Sequence, residues 1–347
     1  MFTHQSVLLN ETIEGVCPND RLDGVFVDGT FGRGGHANAL LSRLSANARL
    51  IVIDQDPQAI EVALALAQSD SRVTVVHAGF GLMLESLSQL GITAVDGVML
   101  DLGVSSPQID DGARGFSFMR DGPLDMRMNT TQGQTAAEWL AEAEVEEIKG
   151  VIKRYGEERF ALQIAKAIVA RRATNPINTT LELAGVVAST VRTREKGQHP
   201  ATRTFQAIRI HVNRELEELD LALEATLTLL KTGANMAVIS FHSLEDRVVK
   251  QFMAAAARPE AALARLPIRE SELPQPVLTQ LKRVLTSDSE INTNTRARSA
   301  VLRIATRTAT ELPEKGAKQF LPHAFRAVER QTLKHSSSKH STLKRVR

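Results

Sequence analysis

The sequence predicts an α/β protein with a doubly wound, mostly parallel sheet that is interrupted by a helical insertion. Three observations support this prediction. Short apolar runs alternate with amphipathic helical patterns up to Asp101, a glycine-rich turn follows the first run, and strand-like apolar runs return only near residue 235. Alternating strands and helices are typical of βαβ units, which build parallel sheets.

The first third of the chain supplies four strand candidates, each a short apolar run that ends in a polar residue. They are residues 24–28, 49–54, 73–77 and 97–101. Helical patterns with apolar residues three and four positions apart cover residues 36–44, 57–67 and 80–90. The order of these elements predicts parallel strands with helices between them.

The middle of the chain breaks this alternation. Residues 103–129 are rich in Gly, Pro and Asp and are predicted to form a long functional loop. Residues 130–200 have helical patterns and no strand candidate, and one long helix is predicted over residues 205–230. A fifth strand is predicted over 235–241, and residues 281–286 and 297–306 are predicted to pair as an antiparallel hairpin at the sheet edge.

These patterns predict one α/β domain that contains an inserted helical domain. The predicted boundaries are a core of residues 1–118 and 205–309, an insert of residues 119–204, and a basic, disordered tail of residues 310–347. The tail is polar and rich in Ser, Lys and His, a composition that cannot bury enough apolar surface to fold.

Composition limits the class of protein. The chain has 347 residues with 42 Lys and Arg against 40 Asp and Glu, and nine of the basic residues follow residue 314. The only cysteine, Cys17, fits a reducing compartment and has no Cys or His at metal-ligand spacing, so no metal site is expected. The N-terminus lacks signal-peptide features, and no segment approaches the ~20 apolar residues that span a bilayer. We therefore expect a soluble, cytoplasmic protein without membrane contact.

The stretch "VDGTFGRGGHA" (residues 27–37) is the first candidate ligand site. Its four glycines give a strand-to-helix turn access to positive φ and let a ligand approach the main chain. The following helix begins with free N–H groups that suit an anion. The spacing differs from G-x-G-x-x-G, which weakens a dinucleotide interpretation. A simple turn is the alternative.

Polar or aromatic residues at the other strand ends would meet this loop at one edge of the sheet. Asp28, Asp54, Phe80 and Asp101 follow four neighbouring strands, and ligands of parallel sheets bind at that edge. Asp54 is placed to accept hydrogen bonds from a ribose, with an adenine beside Phe80. Capping of the helix that starts at Pro57, by Asp54 or Asp56, is the alternative. The long polar loop after the fourth strand favours S-adenosylmethionine over NAD.

Nine stretches together resemble one known family. The chain is similar to the bacterial S-adenosylmethionine-dependent 16S ribosomal RNA cytosine-N4 methyltransferases, the ribosomal RNA small subunit methyltransferase H family. The family's Asn-Pro-Arg is replaced here by Asn294-Thr295-Arg296. The matching stretches are "HQSVLLNE" (4–11), "VDGTFGRGGH" (27–36), "IDQDPQAI" (53–60), "LDLGVSSPQIDD" (100–111), "RGFSFMRDGPLDMRM" (114–128), "YGEERFA" (155–161), "HPATRTFQAIRI" (199–210), "ISFHSLEDR" (239–247) and "NTRARSAVLRI" (294–304).

The resemblance implies a class I, Rossmann-like methyltransferase fold with S-adenosylmethionine as the cofactor. It implies methyl transfer to the N4 amine of a cytidine in the decoding region of 16S RNA, cytidine 1402, within the small ribosomal subunit. A monomer and a homodimer both remain open. The cofactor-binding residues that the resemblance implies are Gly34, Gly35, His36, Asp54, Phe80, Asp101 and Gln108.

Catalytic candidates follow from the chemistry of an aromatic amine. The N4 lone pair is delocalised into the ring, so an acceptor at Asp101 would hold an amine hydrogen and direct the lone pair at the methyl group. A purely cofactor-binding role is the alternative for Asp101. His242 is the second candidate, facing the base. The adjacent pattern of Ser243 and Asp246 is also a capping box, which is the simpler interpretation of that segment.

RNA contacts are expected from arginines, because their planar guanidinium suits phosphates and stacked bases. The candidates are Arg203, Arg209, Arg296 and Arg298, with solvated faces or internal ion pairs as alternatives. Phe116 or Phe118 would stack on a flipped base or pack in the core. The basic tail would add salt-dependent attraction to RNA. Competing functions are an amino-methyltransferase of DNA or another RNA, a dinucleotide-dependent oxidoreductase, and a non-catalytic RNA-binding protein.

Overall fold

The fold is built on a seven-stranded sheet whose order is β3-β2-β1-β4-β5-β7-β6. The computed structural model describes residues 6–18, 22–191, 199–263, 269 and 272–322. Strands β1 to β5 are parallel, and β7 is antiparallel to both β5 and β6. This order confirms the predicted doubly wound, mostly parallel α/β class. The strands are β1 (Val25–Asp28), β2 (Arg49–Asp54), β3 (Val73–His77), β4 (Val95–Asp101), β5 (Leu230–Ser240), β6 (Leu278–Leu285) and β7 (Val301–Arg307).

Helices cover both faces of this sheet, as expected for parallel strands that are buried on both sides. One apolar core lies between the sheet and the helices after β3, and a second lies under the N-terminal helices. The helices are α1 (Leu9–Val16), α2 (Gly35–Leu41), α3 (Pro57–Ser69), α4 (Met83–Gln89), α5 (Ser106–Asp110), α6 (Ala136–Glu142), α7 (Val145–Gly156), α8 (Ala161–Thr174), α9 (Thr180–Thr190), α10 (Thr202–Val212), α11 (Glu215–Leu229), α12 (Ser243–Ala257) and α13 (Asp288–Thr293).

The chain reverses its direction across the sheet between β1 and β4. Strands β2 and β3 extend from β1 on one side, whereas β5 and β7 extend from β4 on the other. Such a switch point leaves a crevice at the carboxyl ends of the two central strands, where ligands of open α/β sheets bind. The glycine turn and Asp101 follow these two strands, so the topology brings the predicted site together.

The long helix predicted over residues 205–230 is wrong, because the structure has two helices there. Helix α10 ends at Val212, and Arg214 takes a left-handed conformation with φ of 52° before α11 begins. The Asn213 side chain accounts for the break. It donates to Met126 O at 2.7 Å and accepts from Met128 N at 2.7 Å, which ties this point to the end of the long loop.

The last two strands pair as predicted, and the fifth strand is longer than predicted. Leu278 to Leu285 runs antiparallel to residues 301–307 at the edge of the sheet. The connection between them carries α13 and a 3₁₀ turn over Thr295–Ser299 rather than a tight turn. Strand β5 begins at Leu230, directly after α11, instead of at residue 235.

The helices between the two halves of the sheet pack mainly on one another. Helix α7 packs against both α8 and α10, and α8 packs against α9. Capping boxes begin two of these helices, with Thr135 and Glu138 on α6 and Thr179 and Glu182 on α9. The predicted insert boundary at residue 204 falls inside α10, so α10 belongs to both the helical layer and the site.

The prediction of a disordered tail from residue 310 needs correction. A 3₁₀ turn forms over Ala317–Phe320, and Phe320 is 5% exposed, with its ring 6.5 Å from that of Phe252 on α12. Apolar side chains at 320 and 321 explain this order, because they fill the core beside α11 and α12. Residues 323–347 of the predicted tail lie outside the described residues. None of the described helices is long and apolar enough to cross a membrane.

Candidate functional site

A cavity of about 400 Å³ opens at the carboxyl ends of the central strands. Six of the seven predicted cofactor residues line it, and Gly34 is the exception. Of the other predicted site residues, Arg209 and Arg296 also line the cavity, whereas His242, Arg203 and Arg298 do not. The six cofactor candidates in the cavity wall are Gly35, His36, Asp54, Phe80, Asp101 and Gln108.

The glycine turn forms the part of the cavity nearest to β1. Gly34 begins α2 in a left-handed conformation with φ of 77°, and a Cβ there would lie 2.7 Å from a ring carbon of Phe31. A Cβ at Gly35 would overlap the hydroxyl of Ser6. Only glycine permits these close approaches of Phe31 and Ser6 to the turn. Gly34 shapes the turn without facing the cavity.

Asp54, at the end of β2, is held by main-chain donors. Its Oδ2 accepts from Gly32 N and its Oδ1 from Asp56 N, each at 2.8 Å. Burial raises the pKa of this carboxyl. Each carboxylate oxygen has a second lone pair. The glycine turn therefore fixes Asp54 while leaving it able to accept the hydroxyls of a ribose.

Asp56 caps helix α3. Helix capping was the alternative role considered for Asp54 or Asp56. Asp56 Oδ1 accepts from Gln58 N at 3.0 Å, at the start of α3. Its Oδ2 accepts from Gln108 Nε2 at 2.6 Å and from Arg114 Nη1 at 2.8 Å. We call these three buried side chains the Asp56 cluster.

The Asp56 cluster fixes the long loop over the cavity. Arg114 Nη2 donates to the carbonyl of Met128 at 2.9 Å, and Gln108 Oε1 accepts from Ser105 N at 2.8 Å. Gln108 thus lines the cavity, but its amide is used within the protein. Sequence reasoning missed Arg114, and its only sequence signal was an arginine inside an otherwise Gly- and Asp-rich loop.

Three ionisable groups lie together at the ends of β1 and β4. His36 Nε2 lies 3.1 Å from Val7 O, and its Nδ1 lies 3.6 Å from Asp101 Oδ2. Since a carbonyl only accepts, Nε2 carries the ring hydrogen. Burial lowers the pKa of His36, and burial raises the pKa of Asp28 and of Asp101 to about 7. Nearby Glu245 adds to the shift of the Asp101 pKa.

Asp101 has the features of a proton acceptor that faces a ligand. Its Oδ1 is buried without a hydrogen-bond partner among the described residues, while Thr30 Oγ1 accepts from its backbone N at 2.6 Å. A buried, unpartnered carboxylate oxygen is costly unless a ligand satisfies it. A carboxyl with a pKa near 7 also accepts protons readily at neutral pH.

Both ends of the described chain contribute to the cavity wall. Ser6 and Val7 line it from the N-terminal side, and Asn294, Arg296 and Ser299 line it from the far side. The two segments are joined, because Leu8 N donates to Glu290 Oε1 at 2.8 Å. Sequence reasoning did not place the N-terminal segment at the site.

A group of buried charges lies beyond Asp101, toward α11 and α12. Arg209 Nε and Nη2 donate to the two carboxylate oxygens of Glu215, each at 2.8 Å. The structure therefore places Arg209 in an internal ion pair, which was the stated alternative to phosphate contact. Burial disfavours the charged guanidinium, but Glu215 holds the pKa of Arg209 above its usual value.

The capping box at β5 lies one residue earlier than the sequence suggested. His242 and Glu245 form it, while Asp246 instead pairs with Arg303, Oδ1 to Nε at 2.7 Å. His242 Nε2 lies 3.0 Å from Glu245 Oε1. Burial pushes the Glu245 pKa up, but His242 and Arg209 hold it below its usual value.

Glu215, His242 and Glu245 offer ligand atoms within 4.8 Å of one another. Arg209 and the imidazole already stand against these carboxylates. We therefore interpret Glu215, His242, Glu245 and Arg209 as an internal charge network.

The remaining RNA candidates lie outside this network. Arg296, at the cavity mouth, pairs with Asp110 through Nη2 and Oδ1 at 2.6 Å. Arg203 Nη1 donates to Glu157 O at 3.0 Å, and Arg298 is exposed. Phe118 packs against His199 and Phe205, with ring centroids 4.5 and 4.9 Å apart. This favours the core role for Phe118 over stacking on a base.

Comparison with known proteins gives a consistent result. A family model described as the MraW methylase family matches residues 1–308. The chain is 60% identical over 349 residues to ribosomal RNA small subunit methyltransferase H of Bordetella avium, covering 95% of this chain and 98% of that protein. It is 62% identical over 341 residues to the protein of the same name from Bordetella petrii, covering 92% and 94%.

More distant relatives carry the same name. The identity is 57% over 314 residues with ribosomal RNA small subunit methyltransferase H of Neisseria gonorrhoeae, covering 90% of this chain and 98% of that protein. Among solved structures, an rRNA methylase from Streptococcus thermophilus aligns with a TM-score of 0.37 at 10% identity, covering 89% of this chain and 99% of that chain. The sequence relatives, rather than this superposition, show what the chain is similar to.

Proposed function

Because this chain belongs to the MraW methylase family, we propose that it transfers a methyl group from S-adenosylmethionine to the N4 amine of a cytidine in the decoding region of 16S RNA. The observation that carries this proposal is Asp101. Its carboxyl lies in the cavity beside the glycine turn, with a pKa of about 7 and one oxygen unpartnered.

Three features of the cavity wall support S-adenosylmethionine as the cofactor. Gly32 and Gly35 of the glycine turn line the cavity without side chains, and main-chain donors hold the carboxyl of Asp54 in the same cavity, where it could accept the hydroxyls of a ribose. Phe80 offers a ring surface for an adenine. Gln108 serves indirectly, by fixing Asp56 and the long loop. The cofactor supplies a methyl group that its sulfonium has already activated, so no covalent protein nucleophile is required.

The protein's own chemistry concerns the acceptor amine. The Asp101 carboxylate accepts a hydrogen bond from one N4 hydrogen, which leaves the nitrogen lone pair directed at the methyl carbon. As the new carbon–nitrogen bond forms, the methyl carbon–sulfur bond breaks and its electron pair stays on the sulfur, which leaves as the neutral thioether S-adenosylhomocysteine. N4 becomes cationic and must lose a proton, and Asp101 is the carboxylate proposed to take it. Positioning of the two reactants in the cavity supplies the remaining acceleration.

The first experiment measures methyl transfer from labelled S-adenosylmethionine to small ribosomal subunits that lack the modification. We expect label in N4-methylcytidine with the wild-type protein. Asp101→Ala should reduce the rate at least 100-fold, a loss of about 2.7 kcal/mol of transition-state stabilisation. Glu61→Ala, which removes an exposed carboxylate on α3, is the matched control and should keep full activity.

Each outcome has a clear meaning. Label in another base would reject the cytidine assignment. Full activity of Asp101→Ala would reject the proposed role of that carboxylate. No label on subunits, together with a rise in melting temperature on addition of S-adenosylmethionine, would retain the cofactor and direct the search to DNA or other RNA substrates.

A further inference from the structure

The charges beyond Asp101 suggest how the site recognises its target base. Resting on the proposed function, we propose that Arg209 reads the Watson–Crick edge of the target cytosine by donating hydrogen bonds to N3 and O2. The N4 amine, next to N3 on the ring, then faces Asp101. Arg209 is thus a residue that determines base specificity.

The geometry of the ion pair leaves one edge of the guanidinium available. Glu215 accepts hydrogen bonds from Nε and Nη2 of Arg209, and both nitrogen–oxygen distances are 2.8 Å. A guanidinium has five N–H groups, so three remain on Nη1 and the outer side of Nη2. Among the described residues, no acceptor is hydrogen-bonded to Nη1. These two nitrogens lie side by side in one plane and present two parallel N–H groups.

Arg209 lines the same cavity as Asp101. Arg209, Glu215, Glu245 and Asp101 all line it. The carboxylate of Glu245 raises the pKa of both Asp101 and Arg209, so the acceptor and the donor both lie within electrostatic reach of this one side chain. The side chain of Arg209 is 15% exposed and that of Glu215 is 7% exposed, so the ion pair is largely shielded from solvent.

Cytosine is the base that matches this edge. Its N3 and O2 are adjacent acceptors with the spacing of a carboxylate, the partner that a guanidinium fork binds best. Uracil has an N–H group at N3, which would face an N–H of Arg209. Adenine, which also has an exocyclic amine beside a ring acceptor on its Watson–Crick edge, has C2–H where cytosine has O2. The edge therefore distinguishes cytosine from both.

Glu215 makes this arrangement compatible with a positively charged cofactor. An unpaired guanidinium in the cavity would repel a sulfonium, whereas the Arg209–Glu215 pair has no net charge. Glu215 also prevents the guanidinium from turning, so the two donors are oriented before the base arrives. Such pre-orientation strengthens discrimination, because an unmatched base leaves a buried donor unsatisfied.

The test uses reconstituted small subunits with cytidine, 3-deazacytidine or uridine at the target position. 3-Deazacytidine replaces the N3 acceptor with C–H and keeps the amine. We expect wild-type protein with S-adenosylhomocysteine to bind both substituted subunits about tenfold or more weaker than the cytidine subunit. Equal binding of all three would overturn the proposal without any protein variant.

Variants then assign the effect to Arg209. Arg209→Gln combined with Glu215→Gln keeps a polar pair and leaves no buried charge unpaired, and Arg209→Lys keeps the charge but loses the fork. For the double variant and for Arg209→Lys, we compare the transfer rate to cytidine with the transfer rate to 3-deazacytidine. The ratio of these two rates should differ from the wild-type ratio by about tenfold. An unchanged ratio would overturn the proposal. Failure of wild type to methylate the cytidine subunit would instead reject the proposed function.

Discussion

Asp101 links protonation to activity at the scale of a single residue. Burial raises its pKa to about 7, and the buried carboxyl of Asp28 titrates in the same range. Because only the carboxylate accepts an amine hydrogen, methyl transfer should increase as the pH rises through about 7 and then level off. The folded state favours the protonated acids, so their contribution to stability is full below about pH 4 and is lost as the pH rises through 7.

This pH dependence is checked by measuring kcat/KM for methyl transfer between pH 5.5 and 8.5 (roughly the range over which a group of pKa near 7 changes its charge). Asp101→Asn should lower the rate and remove the rise near pH 7. Asp28→Asn is the control, because it removes the neighbouring titration and should leave the rise in place. A rise that persists in Asp101→Asn would assign the titration to another group.

The residues of the site differ in how far sequence could predict them. Asp54 and Asp101 end β2 and β4, the two strands that flank β1, so the rule that parallel strands end at one edge of the sheet was sufficient to bring them together. The sequence identified Arg209 as a candidate for RNA contact, but it did not identify Glu215 as the partner of Arg209. The reason is that one helix was expected to continue through residue 213. The break at Arg214 turns Glu215 back toward Arg209, and it depends on contacts of Asn213 with residues more than 80 positions away.

At the scale of elements, the Asp56 cluster joins the long loop to the start of α3. Arg114→Met would leave the carboxylate of Asp56 buried without its cation. Removal of one partner of a buried ion pair costs about 3–5 kcal/mol. We therefore expect the free energy of unfolding to fall by that amount in a chemical denaturation experiment, and the affinity for S-adenosylmethionine to fall because the loop covers the cavity.

Arg120→Met is the matched control for this prediction. Arg120 lies in the same loop, but it is exposed, and among the described residues its side chain donates only to the carbonyl of Asp110, at 3.0 Å. Its replacement should change the free energy of unfolding by less than about 0.5 kcal/mol, as is usual for surface positions. Equal losses in the two variants would show that the cluster does not fix the loop.

Strands and helices were predictable where the apolar pattern is regular, as in β1 to β4 and the hairpin of β6 and β7. The long loop was recognised by its composition, but its path was not. Its fixed points are Arg114, Met126 and Met128, and their partners lie on other elements. Sequence patterns relate residues that are close along the chain, so they do not predict contacts between this loop and distant elements.

At the scale of the whole molecule, the C-terminal region divides into two parts. Phe320 packs in the core, whereas residues 323–347 contain seven Lys and Arg against one Glu. A chain that ends after Pro322 should keep its melting temperature. Its affinity for ribosomal RNA should depend less steeply on salt, because fewer counterions are released on binding.

A chain that ends after Thr310 is the comparison. It loses the buried ring of Phe320 and should be less stable by about 3 kcal/mol, which a thermal denaturation measurement would detect. If the first truncation lowers the melting temperature as much as the second, residues beyond 322 contribute to the fold. If the salt dependence is unchanged, the basic segment does not contact RNA.

The joining of Leu8 to Glu290 has a consequence for the order of events during synthesis. The N-terminal segment leaves the ribosome first, but its partner and the wall formed by Asn294, Arg296 and Ser299 are made almost 300 residues later. Strands β1 to β4 can pair while translation continues, since their contacts are nearer in sequence. We therefore expect a nascent chain to hold an open, incomplete pocket until residue 299 has emerged. A protein stalled before that point would be folded in part and would lack this wall of the cavity, so the site becomes competent only after residue 299 has been added.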